Sequence, residues 1–282
     1  MLRRSLIAAV ALAAAVFTLA ASAAPKASLP SRIVSLSPSA TEDLYAVGAG
    51  AQVIAVDDQS DYPKQAPRTK LSGFTPNVEA IASYNPDLVV ISNDGGLSDQ
   101  LGKLGIKTLL EPAPDNVAGA YEEIRQIGAA TGHTAAAAKV VRGMEKTLTS
   151  LIRSVPKQSR HLKVFHELSP DFYSATSSTF IGRIYKLFGF RNIADAADSS
   201  HTGYPQLSPE YIISANPDIV VLADDVCCGQ SPKTVAARAG WSNVAAVKKH
   251  RVIAVDDSVA SRWGPRIVDF ARAIAKVARQ TS

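Results

Sequence analysis

The chain has 282 residues, of which 46% are hydrophobic and 20% are charged, and its formal net charge is +5. Charges of both signs are mixed throughout the chain. Cleavage of the N-terminal leader described in the next paragraph would remove Arg3 and Arg4 and lower the net charge to +3. The sequence therefore has no basic region of the kind that binds nucleic acid. About 260 residues would then remain, enough for one large domain or two ordinary ones.

The first residues predict export. Met1–Arg4 is basic, Leu6–Ala21 is an almost unbroken apolar run, and Ala21-Ser22-Ala23 has the small-x-small pattern that signal peptidases cleave. A membrane anchor is the alternative, but a spanning helix needs about 20 apolar residues and this run is shorter. We therefore expect residues 1–23 to be a signal peptide. Because no cysteine lies near the cleavage site, we expect an unlipidated protein that is soluble in the periplasm.

After Pro30, short β-branched segments alternate with helical ones. The predicted elements are a strand at Arg32–Leu36, a helix at Pro38–Val47, a strand at Val53–Val56, a helix at Val78–Tyr84, a strand at Asp87–Ile91, a helix at Leu97–Leu104 and a strand at Lys107–Leu110. This alternation is typical of a parallel α/β sheet with crossover helices.

The pattern changes in the middle of the chain. From Val117 to about Ile152 there is only alanine-rich helical sequence, interrupted at Thr131-Gly132, and Thr134–Ile152 has apolar residues at helical spacing. The alternation then resumes, with strands at Lys163–His166, Asp218–Leu222 and Val252–Val255 and helices at Phe180–Phe188 and Pro265–Arg279. We predict an α/β fold of two three-layer lobes, each with a mostly parallel central sheet, joined by one long backbone helix. The boundaries are an N-terminal lobe at 31–115, a helical region at 116–156 and a C-terminal lobe at 157–282.

Two internal similarities bear on this organisation. Pro76–Ser92 (PNVEAIASYNPDLVVIS) matches Ser208–Ala223 (SPEYIISANPDIVVLA) through a helix, an Asn-Pro-Asp turn and a buried strand, which indicates a duplicated unit. The hexapeptide VIAVDD also occurs twice, at Val53–Asp58 and Val252–Asp257, but before the matching unit in one half and after it in the other. We therefore interpret it as a recurring strand type whose carboxylates follow the carboxyl end of a strand, where open α/β sheets bind ligands.

Five motifs resemble one known family. RIVSLSPSATEDLYAVGAG, SDYP, PNVEAIASYNPDLVV, GYPQLSPE and SRWGPRI occur in this order from about Arg32 to the last helix. They are similar to the periplasmic cobalamin-binding proteins and, more broadly, to the helical-backbone (class III) substrate-binding proteins of ABC importers for cobalamin, haem and ferric siderophores. The resemblance implies a two-lobe clamp with ligand in the cleft and membrane permease subunits as partners.

The resemblance also implies a docking role for two glutamates, Glu79 and Glu210, one on the surface of each lobe. Two carboxylates placed this way would let a transporter grip both halves. The alternative is local: both residues fall in the first turn of a helix, where negative charge is favoured by roughly 0.3–1 kcal/mol.

The resemblance further implies ligand contacts from both lobes. Carried over by motif, the predicted ligand-binding residues are Tyr62, Tyr173, Tyr204 and Arg262. Two more are predicted from their neighbourhood: Phe74, in a loop where relatives carry tryptophan, and Trp263, next to the family's usual position. Aromatic side chains in loops after strand ends offer flat apolar area to a ligand, and tyrosine adds a hydroxyl. Core packing is the alternative for each aromatic.

Two further features carry chemistry. His166 and Glu167 end a predicted strand and are candidates for contact with a ligand or metal, although neighbours on a strand point to opposite faces and a non-ligating His166 is the simpler interpretation. The adjacent pair Cys227-Cys228 is either two thiols in a loop or one small disulfide ring, since their Cα atoms must be about 3.8 Å apart.

We expect a monomeric receptor that captures cobalamin or a related corrinoid, with haem or a ferric siderophore as the alternative ligand. A receptor for bare metal ions is less well supported, because no histidine-rich loop and no set of three or four metal ligands is evident. An enzyme is less well supported still, because no nucleophile elbow, phosphate loop or HExxH motif is present. No catalytic residue, bound cofactor or structural metal is therefore predicted; the metal expected is the cobalt or iron of the cargo.

Overall fold

The computed structural model describes residues 28–280, so the predicted signal peptide lies outside the described residues. The N-terminal lobe contains β1 (Ile33–Leu36), α1 (Pro38–Ala46), β2 (Val53–Val56), α2 (Val78–Ala82), β3 (Leu88–Ile91), α3 (Leu97–Gly102) and β4 (Lys107–Leu110). Its four strands form a parallel sheet in the order β2-β1-β3-β4. The carboxyl ends of all four strands therefore meet at one edge.

Two helices lead out of this lobe. Helix α4 (Val117–Thr131) ends at Gly132, which adopts the left-handed conformation at φ 83°, and α5 (Thr134–Ser154) follows directly. A Schellman-type ending of this kind suits glycine because it has no Cβ. Helix α5 packs against α4 on one side and against the last helix of the chain on the other.

The C-terminal lobe repeats the architecture. It contains β5 (Lys163–Glu167), α6 (Phe180–Leu187), β6 (Arg191–Asn192), α7 (Pro209–Ala215), β7 (Ile219–Leu222), α8 (Asp225–Cys228), α9 (Pro232–Ala236), α10 (Ala245–Lys248), β8 (Val252–Ala254), α11 (Asp257–Ser261) and α12 (Ile267–Arg279). Its sheet is also parallel, in the order β6-β5-β7-β8. The predicted fold class is confirmed: two α/β lobes with parallel sheets are linked by the long helix α5.

The duplicated helix-turn-strand unit occupies the same place in both lobes. β3 and β7 are each third in their sheets. In both turns the asparagine has a left-handed backbone, Asn85 at φ 47° and Asn216 at φ 49°. In both, the aspartate two residues later accepts a hydrogen bond from the backbone at the start of the neighbouring strand: Asp87 from Arg32 at 3.1 Å and Asp218 from Lys163 at 2.9 Å.

The two VIAVDD copies, by contrast, lie at opposite edges of their sheets, since β2 is the first strand of one and β8 the last strand of the other. Their shared sequence therefore does not reflect equivalent positions. The aspartates do follow the carboxyl ends of the strands, and Asp256 caps α11 by accepting hydrogen bonds from Ser258 and Val259.

One buried apolar cluster runs through both lobes. It includes Leu44 of α1, Ile124 of α4, Met144 of α5, Ile184 of α6 and Phe270 of α12, all less than 6% exposed. Because α5 contributes to the same core as both lobes, it is packed along its length rather than being an exposed tether. Within residues 28–280, none of the helices combines the length and apolar character needed to cross a membrane.

Candidate functional site

Three adjoining pockets lie between the lobes. They have volumes of about 260, 290 and 310 Å³, and all three are lined by Ser261 at the end of α11. The walls come from the loops that follow the carboxyl ends of the strands, as in other open α/β sheets. Together the pockets form the interlobe cleft.

Phe74 lies on the N-terminal wall of the cleft and is 90% exposed. Its loop is held by the hydroxyl of Ser72, which accepts the backbone N–H groups of Phe74 at 3.2 Å and Thr75 at 3.1 Å. Gly73 lets this loop approach the end of β1, because a Cβ there would lie 2.5 Å from the carbonyl oxygen of Leu36. The aromatic ring is thus presented to the cleft by a firmly placed loop.

Tyr204 lies on the C-terminal wall and is 49% exposed. The carboxylate of Asp198 accepts the backbone N–H groups of Thr202 at 3.0 Å and Gly203 at 2.8 Å, which fixes the loop before Tyr204. Tyr173 is also exposed, at 44%, but it does not line any of the three pockets. The structure therefore places Phe74 of the N-terminal lobe and Tyr204 of the C-terminal lobe in different pockets of the cleft, and leaves Tyr173 outside all three.

Four charged side chains join the lobes beside the cleft. Glu42 of α1 is only 1% exposed and accepts from Arg266 at 2.9 and 2.5 Å and from Arg262 at 3.1 Å. Arg262 also pairs with Asp61 at 2.7 Å and donates to the carbonyl oxygen of Gln59 at 2.9 Å. We call Glu42, Asp61, Arg262 and Arg266 the interlobe ion cluster. Buried charges of this kind need such partners.

Tyr62 and Trp263 lie next to this cluster. The guanidinium of Arg266 sits 4.2 Å from the centre of the Tyr62 ring, a cation–π contact that ties the loop of Tyr62 to the C-terminal lobe. Trp263 lines two of the pockets, and its backbone N–H donates to the hydroxyl of Ser39 at 3.3 Å. Arg262 lines two pockets as well, with its guanidinium already committed to acids of the N-terminal lobe.

His166 and Glu167 do not reach the cleft, which corrects the prediction that either contacts a ligand or metal. Both belong to β5 and both are 0% exposed. They point to opposite faces of the sheet: Nδ1 of His166 is 2.7 Å from the hydroxyl of Tyr185, and Glu167 pairs with Arg238 at 2.6 Å. Burial lowers the pKa of His166 to about 3, so its imidazole is neutral at physiological pH.

The two cysteines are joined in a disulfide, and no free cysteine remains among the described residues. They end the short helix α8 rather than lying in a loop, and both are exposed. Of the two alternatives that the sequence leaves open, the structure contains the disulfide ring. Across residues 28–280, no three His, Cys, Asp or Glu side chains are grouped so that they could hold a metal ion.

Glu79 and Glu210 occupy matching positions in the two lobes. Each is exposed in the first turn of its helix, α2 or α7, and neither takes part in an ion pair within the described part of the chain. Because the N-termini of crossover helices follow the carboxyl ends of the strands, both carboxylates lie on the cleft side of their lobes.

The interlobe ion cluster was missed by sequence reasoning, apart from Arg262. Glu42 did carry a signal, because it lies among buried neighbours in α1, where a charge requires a partner. No local signal identifies that partner, since Arg266 is 224 residues away in the chain.

A cleft between two lobes with exposed aromatic side chains in its walls is the arrangement of a small-molecule binding site. The family described as periplasmic binding protein matches residues 33–259. An uncharacterized ABC transporter substrate-binding lipoprotein of Bacillus subtilis is 33% identical over 88% of this chain and 79% of its own. A cobalamin-binding protein of Halobacterium salinarum is 32% identical over 85% of this chain and 67% of its own.

Solved structures agree with this assignment. A possible iron-binding, periplasmic solute-binding protein from Staphylococcus epidermidis superposes with a TM-score of 0.73 at 28% identity, over 89% of this chain and 99% of its own. The chain belongs to the periplasmic binding protein family of ABC importers. It is accordingly a transport component that presents a small-molecule ligand to permease partners, and not an enzyme.

Proposed function

We propose that this protein is a periplasmic receptor that captures cobalamin or a related corrinoid between its lobes and delivers it to an inner-membrane permease. The observation that carries the proposal is the pair of exposed aromatic side chains that the two lobes contribute to the cleft, Phe74 from one lobe and Tyr204 from the other. A large planar macrocycle offers two apolar faces to such side chains.

Few side chains around the pockets could ligate the metal of a cargo. No histidine, cysteine or methionine lines any of the three pockets, so among the axial ligands that haem proteins use only the phenol of Tyr204 lines them. A corrinoid can bring both axial ligands of its cobalt, whereas haem iron commonly takes one from the protein. The relative named a cobalamin-binding protein points to the same ligand class.

A binding panel tests the proposal. Calorimetric and absorbance titrations with cyanocobalamin, dicyanocobinamide, haemin and several ferric siderophores should show the corrinoids binding most tightly. If haemin or a siderophore binds more tightly than the corrinoids, or if only free Zn²⁺ or Mn²⁺ binds tightly, the corrinoid assignment is wrong and that ligand is the cargo.

Two truncations address the aromatic walls. Phe74→Ala and Tyr204→Ala should each weaken corrinoid binding by roughly tenfold, because a stacked aromatic contributes on the order of 1 kcal/mol beyond its buried area. Leu104→Ala, which removes another exposed apolar side chain near the end of α3, is the matched control and should bind like the wild type. Unchanged binding in both aromatic variants would exclude this placement of the macrocycle.

We further propose that Glu79 and Glu210 form the permease-docking pair. In proteoliposomes holding the cognate importer, the double variant Glu79→Ala with Glu210→Ala should lower stimulated ATPase activity by roughly tenfold or more, since each lobe loses a charged contact. The control exchanges one exposed acid in each lobe, Asp99→Ala with Asp171→Ala. Equal loss in the control, or none in the test variant, would leave favourable negative charge at the helix N-terminus as the role of the two glutamates.

A further inference from the structure

The charged residues that line the cleft are mainly acidic. The acids are Asp57, Asp61, Asp115 and Asp257, and the cations are Arg68 and Arg262. Asp57 is only 2% exposed, and burial raises the pKa of its carboxyl, which favours the neutral form, so the acidic character depends on the other three. Asp115 and Asp257 flank the cleft from different lobes, and neither pairs with a cation among the described residues. Acidic charge therefore faces any ligand from both sides.

One of the two cations, Arg262, is already neutralised by acids of the N-terminal lobe. Arg262 lines two of the pockets, but its guanidinium is held by Glu42 at 3.1 Å, by Asp61 at 2.7 Å and by the carbonyl oxygen of Gln59 at 2.9 Å. Its side chain is only 12% exposed. A carboxylate on a ligand would have to displace an acid of the N-terminal lobe to reach it.

The remaining cation lies to one side. Arg68 is exposed and lines only the pocket that opens beside Asp61 and Asp257. It is absent from the pocket that Tyr204 lines and from the pocket of Ser37 and Asn93. Any attraction it offers an anion is opposed within its own pocket by the carboxylate of Asp257, which has no ion-pair partner among the described residues, whereas Asp61 is already paired with Arg262.

The pocket walls also contain uncharged side chains that form hydrogen bonds. Side chains that can both donate and accept hydrogen bonds line the pockets: Ser37, Ser39, Gln59, Asn93, Ser178, Thr202 and Ser261. Primary amides match such groups in both directions, and their N–H groups can also donate to the aspartates. A carboxylate offers acceptors only and adds a negative charge to an acidic site.

We propose that the cleft selects neutral or cationic chelates whose periphery donates hydrogen bonds, and discriminates against the same scaffold carrying carboxylates. The inference relies on the proposed function for the location of the ligand in the cleft. It adds a preference for ligands without carboxylates, which we call the charge rule. Amide-bearing corrinoids satisfy the rule, while haem with free propionates and siderophores with free carboxylates do not.

The test compares ligands that differ only in this group. Cyanocobalamin and its monocarboxylic acids, in which one peripheral propionamide is hydrolysed, are titrated into the wild-type protein at low and high salt. We expect the acids to bind about tenfold more weakly at low ionic strength, and the ratio to shrink as salt screens the aspartates. Equal affinities at low salt would overturn the inference while leaving corrinoid binding, and hence the proposed function, intact.

Charge variants locate the effect. Asp61→Asn and Asp115→Asn should each reduce the acid-to-amide discrimination by about threefold, the size expected for one nearby solvated charge. Asp99→Asn removes an equal charge from the exposed face of α3 and should keep the wild-type ratio. If both test variants keep that ratio as well, the cleft aspartates do not set the preference and the inference fails.

If the cargo is not a corrinoid, the proposed function and the charge rule can still be tested separately. If haemin binds and corrinoids do not, the proposed function is wrong, but comparison of haemin with its dimethyl ester still tests the charge rule. Tighter binding of the ester would support the rule independently of the cargo, and tighter binding of the free acid would overturn it.

Discussion

Glu167 is held in the interior of the C-terminal lobe by one arginine. Both oxygens of its fully buried carboxylate accept from Arg238, at 2.6 and 2.5 Å, and the guanidinium also lies 4.8 Å from the centre of the Trp241 ring. Burial, and then the charge of Glu167, raises the pKa of neighbouring Asp224 to about 7. Glu167 and Asp224 therefore share one nearby cation, Arg238.

Replacing that cation should be costly. Arg238→Met leaves Glu167 buried without its partner, so we expect the free energy of unfolding to fall by about 3–5 kcal/mol, measured by urea denaturation at pH 7.5. The control is Arg272→Met, whose partner Asp269 is half exposed, and which should cost about 0–1 kcal/mol. A similar small loss in both variants would mean that water or protonation compensates Glu167 in the absence of Arg238.

At the scale of elements, three carboxyl groups meet where α1, α4 and the end of β4 pack together. Asp43, Glu111 and Glu123 are all buried. Burial, followed by the charge of Glu111, raises the pKa of Glu123 to about 8, and burial followed by the charge of Glu122 raises that of Glu111 to about 7. The pKa of Asp43 is raised by burial and then by the charges of its neighbours. These elements therefore pack best when the cluster is protonated.

This arrangement predicts the sign of a pH dependence. The folded pKa of Glu123 lies above the unfolded value of about 4.3, so its unfavourable contribution appears as pH rises from about 4.3 through 8. Glu123→Gln should therefore stabilise the protein by about 1–2 kcal/mol more at pH 9 than at pH 5, measured by urea denaturation. Asp99→Asn, which removes an exposed acid from helix α3, should show no such difference. A pH-independent effect of Glu123→Gln would mean that Glu123 is ionised in the folded protein.

The same elements show what the sequence could predict. The β-branched strands and the long apolar face of α5 were predictable because period and composition are local properties. Helices α8 to α11 were not, since each has only four or five residues and no periodicity to detect. Tyr204 was found by motif and Phe74 from its loop, but the ion cluster depends on the distance between two lobes, which no local pattern contains.

At the scale of the whole molecule, three features connect the lobes. Helix α5 bridges the lobes and α12 packs along α5. Next to the cleft, the ion pairs of the interlobe ion cluster join one lobe to the other. The shared apolar core makes bending at α5 expensive, because any hinge there would expose buried side chains such as Met144 and Leu148. We therefore expect the cleft to be largely preformed.

A distance measurement tests this rigidity. Spin labels attached at Asp99→Cys in α3 and Lys233→Cys in α9 report the distance between the lobes. Under non-reducing conditions the native cysteines stay in their disulfide, so within residues 28–280 only the two introduced cysteines react with the label. We expect the mean distance to change by no more than about 2 Å when the ligand binds, as in other preorganised complexes. A shift of several times that amount would show that α5 bends.

The ion cluster should contribute to this rigidity even without ligand. Arg262→Met removes the links from α11 to Asp61 and Gln59 while leaving Glu42 paired with Arg266, so the fold is retained but the cleft side of the joint is loosened. We expect a broader distance distribution between the two labels in the ligand-free variant, with little change in its mean. Arg272→Met, on the surface of α12, should leave the distribution unchanged. If Arg262→Met also leaves it unchanged, the packing of α5 and α12 alone fixes the lobes, and the acids that hold Arg262 serve chiefly to set the charge of the cleft.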